Sequence, residues 1–298
     1  MRVYSLSKNE DDFLGFEDDG DIIDLTRAIS FYEVTVNNCV PVPVNYIEEL
    51  IWDNKFSIDF LGEVMSVLSK YGVKKDFILK GKYVVNAPVN PGKIIALGNN
   101  YHEHIKEMNQ KIPEEPVLFG KWPSTVIGHQ ESIIKLSWIG RMDYEAELAV
   151  IIGRTARKVK VSEAMDYVSG YTCLNDVSAR DIQKKDLSQS LPWMPSKNFD
   201  TFAPMGPCVL LAGVVREPVS IGIQSTVNGE IRQNGNTSDF IFDIPTVIEY
   251  ISKIMTLDAG DVITTGTPAG VGPLEAGDVV EITCEGIGTL SNPVISTE

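Results

Sequence analysis

The sequence has 298 residues, of which 43% are hydrophobic and 22% are charged, so it has enough apolar content to bury a large core. This composition argues against disorder, and the longest apolar runs, such as residues 148–152, are far shorter than the ~20 residues that span a bilayer. Lys and Arg total 26 against 41 Asp and Glu, and the net charge of −15 opposes binding to nucleic acid or to an anionic membrane. A small anionic substrate stays compatible with this charge, because local cations set the potential inside a pocket.

The N-terminal residues and the cysteines indicate a cytoplasmic protein. The segment that begins at Met1 turns acidic at residues 10–12 and lacks the apolar core of a secretory signal. The cysteines are widely spaced and form no CxxC pair, which argues against a disulfide framework or a thiolate zinc site. We therefore expect buried, inert thiols at four positions: Cys39, Cys173, Cys208 and Cys284.

Residues 1–88 are predicted to form a small α/β module. Strand-like runs and turn residues near the N-terminus predict a hairpin, and apolar residues at three- and four-residue spacing then predict two helices. The predicted elements are strands at 2–6 and 13–16, a turn at 18–20, and helices at 44–52 and 59–71. Two prolines within residues 87–92 fit neither a helix nor a central strand. We therefore place the domain boundary between residues 88 and 89.

Residues 89–298 are predicted to form a β-rich α+β domain. Asn228-Gly229 lies between two strand-like runs and is a strong hairpin signal. Two helices are expected, one capped by Ser162 and one that follows Asp243 with Pro245 in its first turn. The other strand signals lie at residues 93–97, 117–121, 144–152, 170–174, 208–211 and 279–283.

Two carboxylates share one face of a predicted strand. In the run 143–153, the two-residue period of a strand places Glu145 and Glu147 on the same side. Like charges one strand step apart in an apolar run repel each other, and a divalent cation would offset their repulsion and desolvation. Asp176, at the end of the next strand-like segment, can supply a third ligand, and such oxygen ligands favour Mg²⁺, Mn²⁺ or Ca²⁺ over zinc. The spacing alone leaves open a solvated acidic face on an edge strand.

Five motifs resemble, in the same order, the signatures of fumarylacetoacetate hydrolase-like proteins. They are GNNYHEHIKE at 98–107, DYEAELAVIIG at 143–153, NDVSARDIQ at 175–183, KNFDTFAP at 197–204 and GTPAGVGP at 266–273. The resemblance extends from Ile94 to Val294 and implies the family's mixed β-roll. Proteins with this fold in the family are commonly dimeric, and we therefore expect a homodimer. It also implies that Glu145, Glu147 and Asp176 bind Mg²⁺ or Mn²⁺, with Ca²⁺ as a substitute in crystals.

The sequence departs from the longer animal members of that family at one position. Those proteins carry a fourth carboxylate ligand seven residues before their catalytic histidine, where this chain has Leu97. Asp143 also falls on the ligand face of the strand by period-two counting, but it matches no ligand position. We therefore expect three protein ligands, as in the shorter bacterial and mitochondrial members, and leave Asp143 outside the site.

A histidine and a glutamate form a candidate catalytic pair. The chain has only His102, His104 and His129, which argues against a zinc site built mainly from imidazoles. His104 and Glu107 are three residues apart, close enough on a helical turn for the carboxylate to hold and polarise the imidazole of a general base. The resemblance implies that this pair activates water. The structural alternative is a histidine that only hydrogen-bonds a backbone carbonyl.

The resemblance places Arg180, Gln183 and Lys197 against the substrate. A buried lysine offers a point charge to a developing enolate, and Gln183 can donate to an oxyanion. An ordinary surface lysine or an ion pair is the alternative. Thr267 resembles the family's contact to the substrate carboxylate, and Lys121 is a further pocket candidate.

A polar, proline-containing stretch separates Gln183 from Lys197. Residues 184–196 are predicted to form a loop that is able to close over the pocket. Because this loop varies among similar proteins, Trp193 and Met194 are candidates for specificity rather than for chemistry.

The combined residues predict a divalent-metal-dependent hydrolase that cleaves a carbon–carbon bond in a small acylpyruvate-like 2-oxo acid. The metal would polarise the substrate and His104 would take a proton from water. The same site is suited to decarboxylation of oxaloacetate or to isomerisation of a hydroxymuconate-type dienoate. A metal-binding protein without catalysis is the alternative from another class.

Overall fold

The computed structural model describes residues 1–109 and 111–297 and has the predicted α+β architecture. The strands are β1 Arg2–Lys8, β2 Asp11–Asp18, β3 Asp21–Asp24, β4 Val84–Val85, β5 Ile94–Gly98, β6 Val117–Lys121, β7 Val126–Ile127, β8 Ile133–Leu136, β9 Met142–Tyr144, β10 Ala146–Ile152, β11 Val168–Asn175, β12 Ser178–Ala179, β13 Ala203–Leu211, β14 Gly222–Val227, β15 Glu230–Asn236, β16 Val262–Thr264, β17 Gly272–Leu274, β18 Val279–Cys284 and β19 Gly288–Thr297. The α-helices are α1 Leu25–Thr35, α2 Ile47–Trp52, α3 Ile58–Lys70, α4 His102–Glu107, α5 Arg180–Ser188, α6 Met194–Lys197 and α7 Ile244–Ile254.

One large sheet and two smaller ones organise the molecule. The large sheet runs in the order β3-β2-β1-β13-β11-β10-β16-β5-β6, with β4 paired to β1 and β7 paired to β13. A five-stranded sheet has the order β15-β14-β18-β19-β8, and β9 lies between β12 and β17 in a third sheet. Most pairs are antiparallel, whereas β5 pairs with β16, β7 with β13 and β8 with β19 in parallel. Strand β10 is therefore a central strand of the large sheet.

The two faces of the large sheet cover two different hydrophobic cores. Along β10, Leu148 and Val150 pack into the core that the five-stranded sheet completes, whereas Ala149 and Ile151 pack with the N-terminal helices. This alternation follows from the two-residue period of a strand that is covered on both faces. All seven residues of β10 are buried. The strand is thereby held from both sides.

The N-terminal strands belong to the large sheet. Strand β1 pairs antiparallel with β13, and Val3 lies opposite Val209. The core that contains the N-terminal helices also includes Leu174, Met205 and Val262 from the second part of the chain. Residues 1–88 and the following residues thus share one sheet and one of the two cores. The domain boundary between residues 88 and 89 stays a prediction.

Several predicted elements are confirmed. The N-terminal hairpin is β1 and β2, and the predicted helices at 44–52 and 59–71 are α2 and α3. Asp243 caps α7 by accepting a hydrogen bond from the backbone N–H of Thr246 at 3.0 Å. Asn228 and Gly229 have φ angles of 53° and 80°, the left-handed pair that a tight hairpin turn between β14 and β15 requires.

Other expectations were wrong. Ser162 does not cap an α-helix, because the segment is a 3₁₀-helix whose hydrogen bonds begin at Lys160, the acceptor for the N–H of Glu163. Cys39 is exposed, whereas the other three cysteines are buried as predicted. Its exposure follows from its position in the surface segment after α1, a helix that the sequence patterns did not reveal.

The predicted loop at residues 184–196 is partly helical. Helix α5 extends to Ser188 and α6 begins at Met194, so only residues 189–193 connect them without helix. Gln183 and Asp186, three residues apart, are the buried side of α5, and the bonds of Arg180 to Asp143 and Glu145 anchor the start of the helix where composition alone favours a loop. No helix among the described residues is long and apolar enough to cross a membrane.

Candidate metal centre and active site

The three predicted metal ligands meet at the ends of neighbouring strands. Glu145 lies at the break between β9 and β10, Glu147 is in β10, and Asp176 directly follows β11. Ala146 pairs with Asn175 in the antiparallel ladder, and the backbone N–H of Asp176 donates to the carbonyl of Glu145 at 2.9 Å. All three acidic side chains are buried, and one oxygen of each lies within 4.8 Å of the others.

The two glutamates differ in their electrostatic surroundings. Burial opposes ionisation of Glu145, but Lys197 and Arg180 outweigh it and lower the pKa of Glu145 to about 2. Burial, together with the charge of Asp176, raises the pKa of Glu147 well above its usual range. Glu147 is held by the hydroxyl of Thr264 and by the backbone N–H of Gly266, which donates at 2.9 Å.

Two buried lysines contact the acidic residues. Lys197 Nζ lies 2.7 Å from Glu145 Oε2 and 2.5 Å from Asp176 Oδ2. Lys121 Nζ lies 2.8 Å from the other oxygen of Asp176 and donates to the backbone carbonyl of Lys197 at 2.5 Å. Burial alone would lower the pKa of Lys197, but Asp176 and Glu145 reverse the effect and raise it. For Lys121 burial prevails and the pKa is lowered.

The donor set fits a hard divalent cation. Three carboxylates supply oxygen ligands of the kind that Mg²⁺, Mn²⁺ and Ca²⁺ prefer, and no sulfur or imidazole group belongs to the set. Glu147 has no cationic side chain among its hydrogen-bond partners, which are Thr264 and Gly266. A fully buried carboxylate with only neutral donors is costly in its charged form, and a cation would offset that cost.

Asp143, which the motif comparison left out, organises the side of the site next to Arg180. Its two carboxylate oxygens accept from Nε of Arg141 and Nε of Arg180, each at 2.7 Å. Arg180 in turn donates to Glu145 and to the side-chain oxygen of Gln183. Asp143 is buried, with 1% of its surface exposed. The sequence did carry a signal for it, since period-two counting placed Asp143 on the ligand face.

We expect Asp143→Asn to destabilise the protein and to weaken substrate binding. The change removes the negative charge that faces two arginines, and breaking a buried pair of this kind costs ~3–5 kcal/mol. Urea unfolding measures this loss, and the Michaelis constant reports on the position of Arg180. Asp166→Asn is the matched control, because Asp166 is 73% exposed and lies 3.6 Å from Arg154, so its loss is expected to cost below ~1 kcal/mol. Equal losses in the two variants would contradict the role of Asp143.

The predicted histidine–glutamate pair lies on α4. His104 Nδ1 is 3.4 Å from Glu107 Oε2, and His104 is largely buried, whereas Glu107 is half exposed. Nδ1 is buried without a hydrogen-bond partner, so the two groups are near but not yet aligned for a hydrogen bond. Glu107 also accepts from the backbone N–H of Gly270 at 3.2 Å, which ties α4 to the loop after Thr267.

A cavity of about 110 Å³ joins the acidic residues to His104. Eight predicted residues line it: His104, Glu145, Glu147, Asp176, Arg180, Gln183, Lys197 and Thr267. The other two predicted residues are placed differently. Lys121 is buried behind Asp176, and Glu107 lies behind His104. Trp193 also lines the cavity, whereas Met194 lies at an adjacent surface groove.

Gln233 is a further site residue that the sequence did not indicate. Its side-chain NH₂ donates to the hydroxyl of Thr267 at 2.7 Å and to the carbonyl of Pro268 at 2.8 Å, and its oxygen accepts from the N–H of Ala146. Gln233 thus connects the Thr267 turn to the strand that carries Glu147. A single glutamine in a hairpin strand gives no sequence signal for this contact.

The fold and the site define an enzyme with a buried carboxylate centre that is suited to a divalent cation. The family described as fumarylacetoacetate (FAA) hydrolase C-terminal matches residues 93–295, and the chain belongs to this family. Proteins of this family are enzymes, among them hydrolases, isomerases and tautomerases, and they commonly use a divalent metal. The resemblance read from the five motifs is thereby confirmed, and so is the fold class.

Named relatives and a solved structure extend the comparison. Oxaloacetate tautomerase YisK of Bacillus subtilis is 43% identical over 222 residues, 70% of this chain and 72% of that protein. The mitochondrial oxaloacetate tautomerase fahd2 of Xenopus laevis is 42% identical over 217 residues, 70% of this chain and 67% of that protein. The structure of a fumarylacetoacetate hydrolase from Exiguobacterium antarcticum matches over the full length of both chains, with 33% identity and a TM-score of 0.81.

Proposed function

We propose that this enzyme acts on a short 2-oxo acid by moving a proton at the carbon next to the carbonyl, and that its principal reaction is the keto–enol tautomerisation of oxaloacetate. The observation that carries the proposal is the cavity itself, where His104 lies in the same small space as Lys197 and the three carboxylates. Two relatives above 40% identity bear the name oxaloacetate tautomerase, which supports this choice of reaction.

The residues divide into groups that bind charge and one group that moves a proton. Arg180 and Lys197 supply the positive charge that a substrate carboxylate and a developing enolate oxygen require. Thr267 donates its hydroxyl to the substrate carboxylate. With Nδ1 of His104 on the side of Glu107, Nε2 is the nitrogen that delivers a proton to C3 of the enol. The enol hydroxyl gives its proton to water, and His104 regains a proton from water, so the reaction has no net proton change.

Glu145, Glu147 and Asp176 would hold the Mg²⁺ or Mn²⁺. A cation held there would supply Lewis-acid polarisation of the carbonyl of a 2-oxo acid. Lys121 has no direct path to the substrate. Its role is to hold Asp176 and the backbone of Lys197 in place.

Hydrolysis of a small acylpyruvate is the second candidate, and the contact between Glu107 and His104 favours it. A carboxylate behind the imidazole can hold the ring in position to take a proton from water, as in a general base that is backed by an acidic residue. His104 would take a proton from water, hydroxide would attack the distal carbonyl, and cleavage of the carbon–carbon bond would release a carboxylic acid and the enol of pyruvate. The structure of the Exiguobacterium hydrolase supports this alternative through its name.

A substrate panel decides between these reactions. We expect the purified protein with Mg²⁺ or Mn²⁺ to accelerate the loss of the ultraviolet absorbance of enol-oxaloacetate, beyond the rate without enzyme. Excess chelator is expected to abolish this activity and added metal to restore it. Full activity in excess chelator would contradict the metal assignment.

The same panel includes acetylpyruvate, a hydroxymuconate-type dienoate and a measurement of pyruvate released from oxaloacetate. Faster turnover of acetylpyruvate than of enol-oxaloacetate would make hydrolysis the principal reaction. Faster isomerisation of the dienoate or faster decarboxylation would replace both proposals. Metal binding without turnover of any substrate would contradict both proposals and favour a metal-binding protein without catalysis.

A further inference from the structure

The cavity has a charged inner half and an apolar outer half. The acidic residues and Lys197 are buried at its inner end. The most exposed of its lining side chains are apolar: Met108 and Leu187 are 49% and 47% exposed, and Trp193 is partly exposed. Phe119 and Leu97 continue this apolar lining inward. A substrate whose carboxylate lies at the charged end would direct its tail toward these apolar side chains, and Trp193 is one of them.

The ring of Phe119 packs against both Trp193 and Lys197. Trp193 directly precedes α6 and Lys197 ends this helix, so the two residues are about one helical turn apart. The Phe119 ring contacts both, with its centroid 5.6 Å from that of Trp193 in an edge-on arrangement and 5.1 Å from Lys197 Nζ. These contacts hold the indole in one position relative to the charged end.

Gly98 makes room for the indole. A Cβ atom at residue 98 would lie 2.6 Å and 2.9 Å from two ring carbons of Trp193, which is too close for carbon atoms. Its next neighbour, a methyl group of Val117, would be at an ordinary 3.6 Å. Of the nearest neighbours of residue 98, the indole of Trp193 is therefore the group that a larger side chain would collide with.

We propose that Trp193, seated on Gly98 and Phe119, limits the length of the substrate tail and restricts the enzyme to short 2-oxo acids. This inference rests on the proposed function, because it takes 2-oxo acids as the ligands of the inner site. The small volume of the cavity supports it, since 110 Å³ is well below the ~300–1,000 Å³ of pockets that hold drug-sized ligands. The indole is rigid and occupies the direction in which a longer tail would extend.

The first experiment measures binding and turnover across a series of tail lengths. The Mn²⁺-loaded wild type and Trp193→Ala are titrated by calorimetry with 2-oxobutanoate, 2-oxohexanoate and 2-oxooctanoate, and each acid is also tested as an inhibitor of oxaloacetate turnover. One methylene in a fitted apolar pocket changes selectivity ~10- to 200-fold. We expect Trp193→Ala to raise the preference for the longest acid over the shortest at least ~10-fold.

The control is Trp52→Ala, because Trp52 is 63% exposed and lies on α2, in the N-terminal part of the chain. This variant is expected to keep the length preference of the wild type. An unchanged preference in Trp193→Ala, with folding verified by circular dichroism, would overturn the inference.

The second experiment uses Gly98→Ala alone and together with Trp193→Ala. Alone, the new methyl group must displace the indole, so we expect weaker binding of 2-oxobutanoate. In the Trp193→Ala background the same methyl group has space, and it is expected to have little further effect. The two substitutions would then be strongly non-additive, as directly contacting residues are. Additive effects would show that the indole does not occupy the space beside Gly98, and would overturn the inference.

The experiments distinguish a failure of the proposed function from a failure of the role assigned to Trp193. If the wild type neither binds nor converts any 2-oxo acid, the proposed function fails. If the wild type binds 2-oxobutanoate but Trp193→Ala leaves the length preference unchanged, the proposed function stands and only the assignment of Trp193 falls.

Discussion

Replacement of His104 with alanine is expected to lower the rate of oxaloacetate tautomerisation, or of acylpyruvate hydrolysis, by ~10²–10⁴-fold, the contribution typical of a general acid or base. The affinity for Mn²⁺ should stay nearly unchanged, because His104 lies across the cavity and is not one of the three carboxylate ligands. Steady-state kinetics measures the first quantity and calorimetry the second. His102→Ala is the matched control, since His102 is an exposed histidine two residues away on the same helix.

Glu107 provides an internal test of the same pair. Glu107→Gln should cause a smaller loss, because the imidazole stays in place without its charged partner 3.4 Å away. The double variant should be little worse than His104→Ala, since two groups that act as one unit give non-additive losses. If the loss of activity in the double variant equals the product of the two single losses, His104 and Glu107 do not act as one unit. Full activity of His104→Ala would mean that proton transfer does not pass through this histidine.

Glu147→Gln is expected to abolish metal-dependent activity and to weaken Mn²⁺ binding at least ~100-fold. Loss of a group that only supports a ligand already costs ~10–100-fold in metal affinity, and Glu147 would be a direct ligand. Gln keeps the shape of the side chain and removes the anionic oxygen, so the effect isolates charge. Calorimetric titration with Mn²⁺ measures it.

Thermal unfolding gives a readout of the same substitution that does not depend on activity. A ligand at ~100 times its dissociation constant stabilises a protein by ~2.7 kcal/mol, a rise of the melting temperature on the order of 4 °C for a chain of this size. We expect this rise in the wild type and in Glu163→Gln, an exposed carboxylate variant, but not in Glu147→Gln. An unchanged metal-induced rise in Glu147→Gln would exclude Glu147 as a ligand.

The sequence predicted the three acidic residues of the candidate metal site, but it did not predict several of the residues that surround them. The period of a strand places Glu145 and Glu147 on one face, and Asp176 ends the next strand. This spacing left a solvated acidic face open, and the resemblance of the five motifs was needed to predict the three residues as metal ligands. The role of Asp143 depends on Arg180, which is 37 residues further along the chain and reaches it only when α5 packs beside β9. Gln233 and Phe119 likewise come from distant elements, and no local pattern indicates such contacts.

The helices that the sequence did not reveal depend on contacts with the rest of the fold. Helix α1, Leu25–Thr35, contains Ile29, Phe31, Tyr32 and Val34, residues of lower helix propensity, and no helix was predicted there. It forms because Asp24 caps it and its buried side packs into the second core. Helix α5 is mostly polar, and its anchor is the contact of Arg180 with Asp143 and Glu145. Tertiary packing decided both cases.

The pairing of Lys197 and Lys121 with the acidic residues bears on the order of events during biosynthesis. In zinc fingers the ligand cluster cannot assemble until the ion arrives, so metallation and folding are one process. Here two ammonium groups and the Arg180 guanidinium lie against Glu145 and Asp176, so protein cations offset the charge of these two carboxylates, and all seven residues of β10 are buried. We therefore expect the chain to fold before it binds the proposed cation, and we expect the identity of that cation to depend on which hard cation is available in the cell at that time.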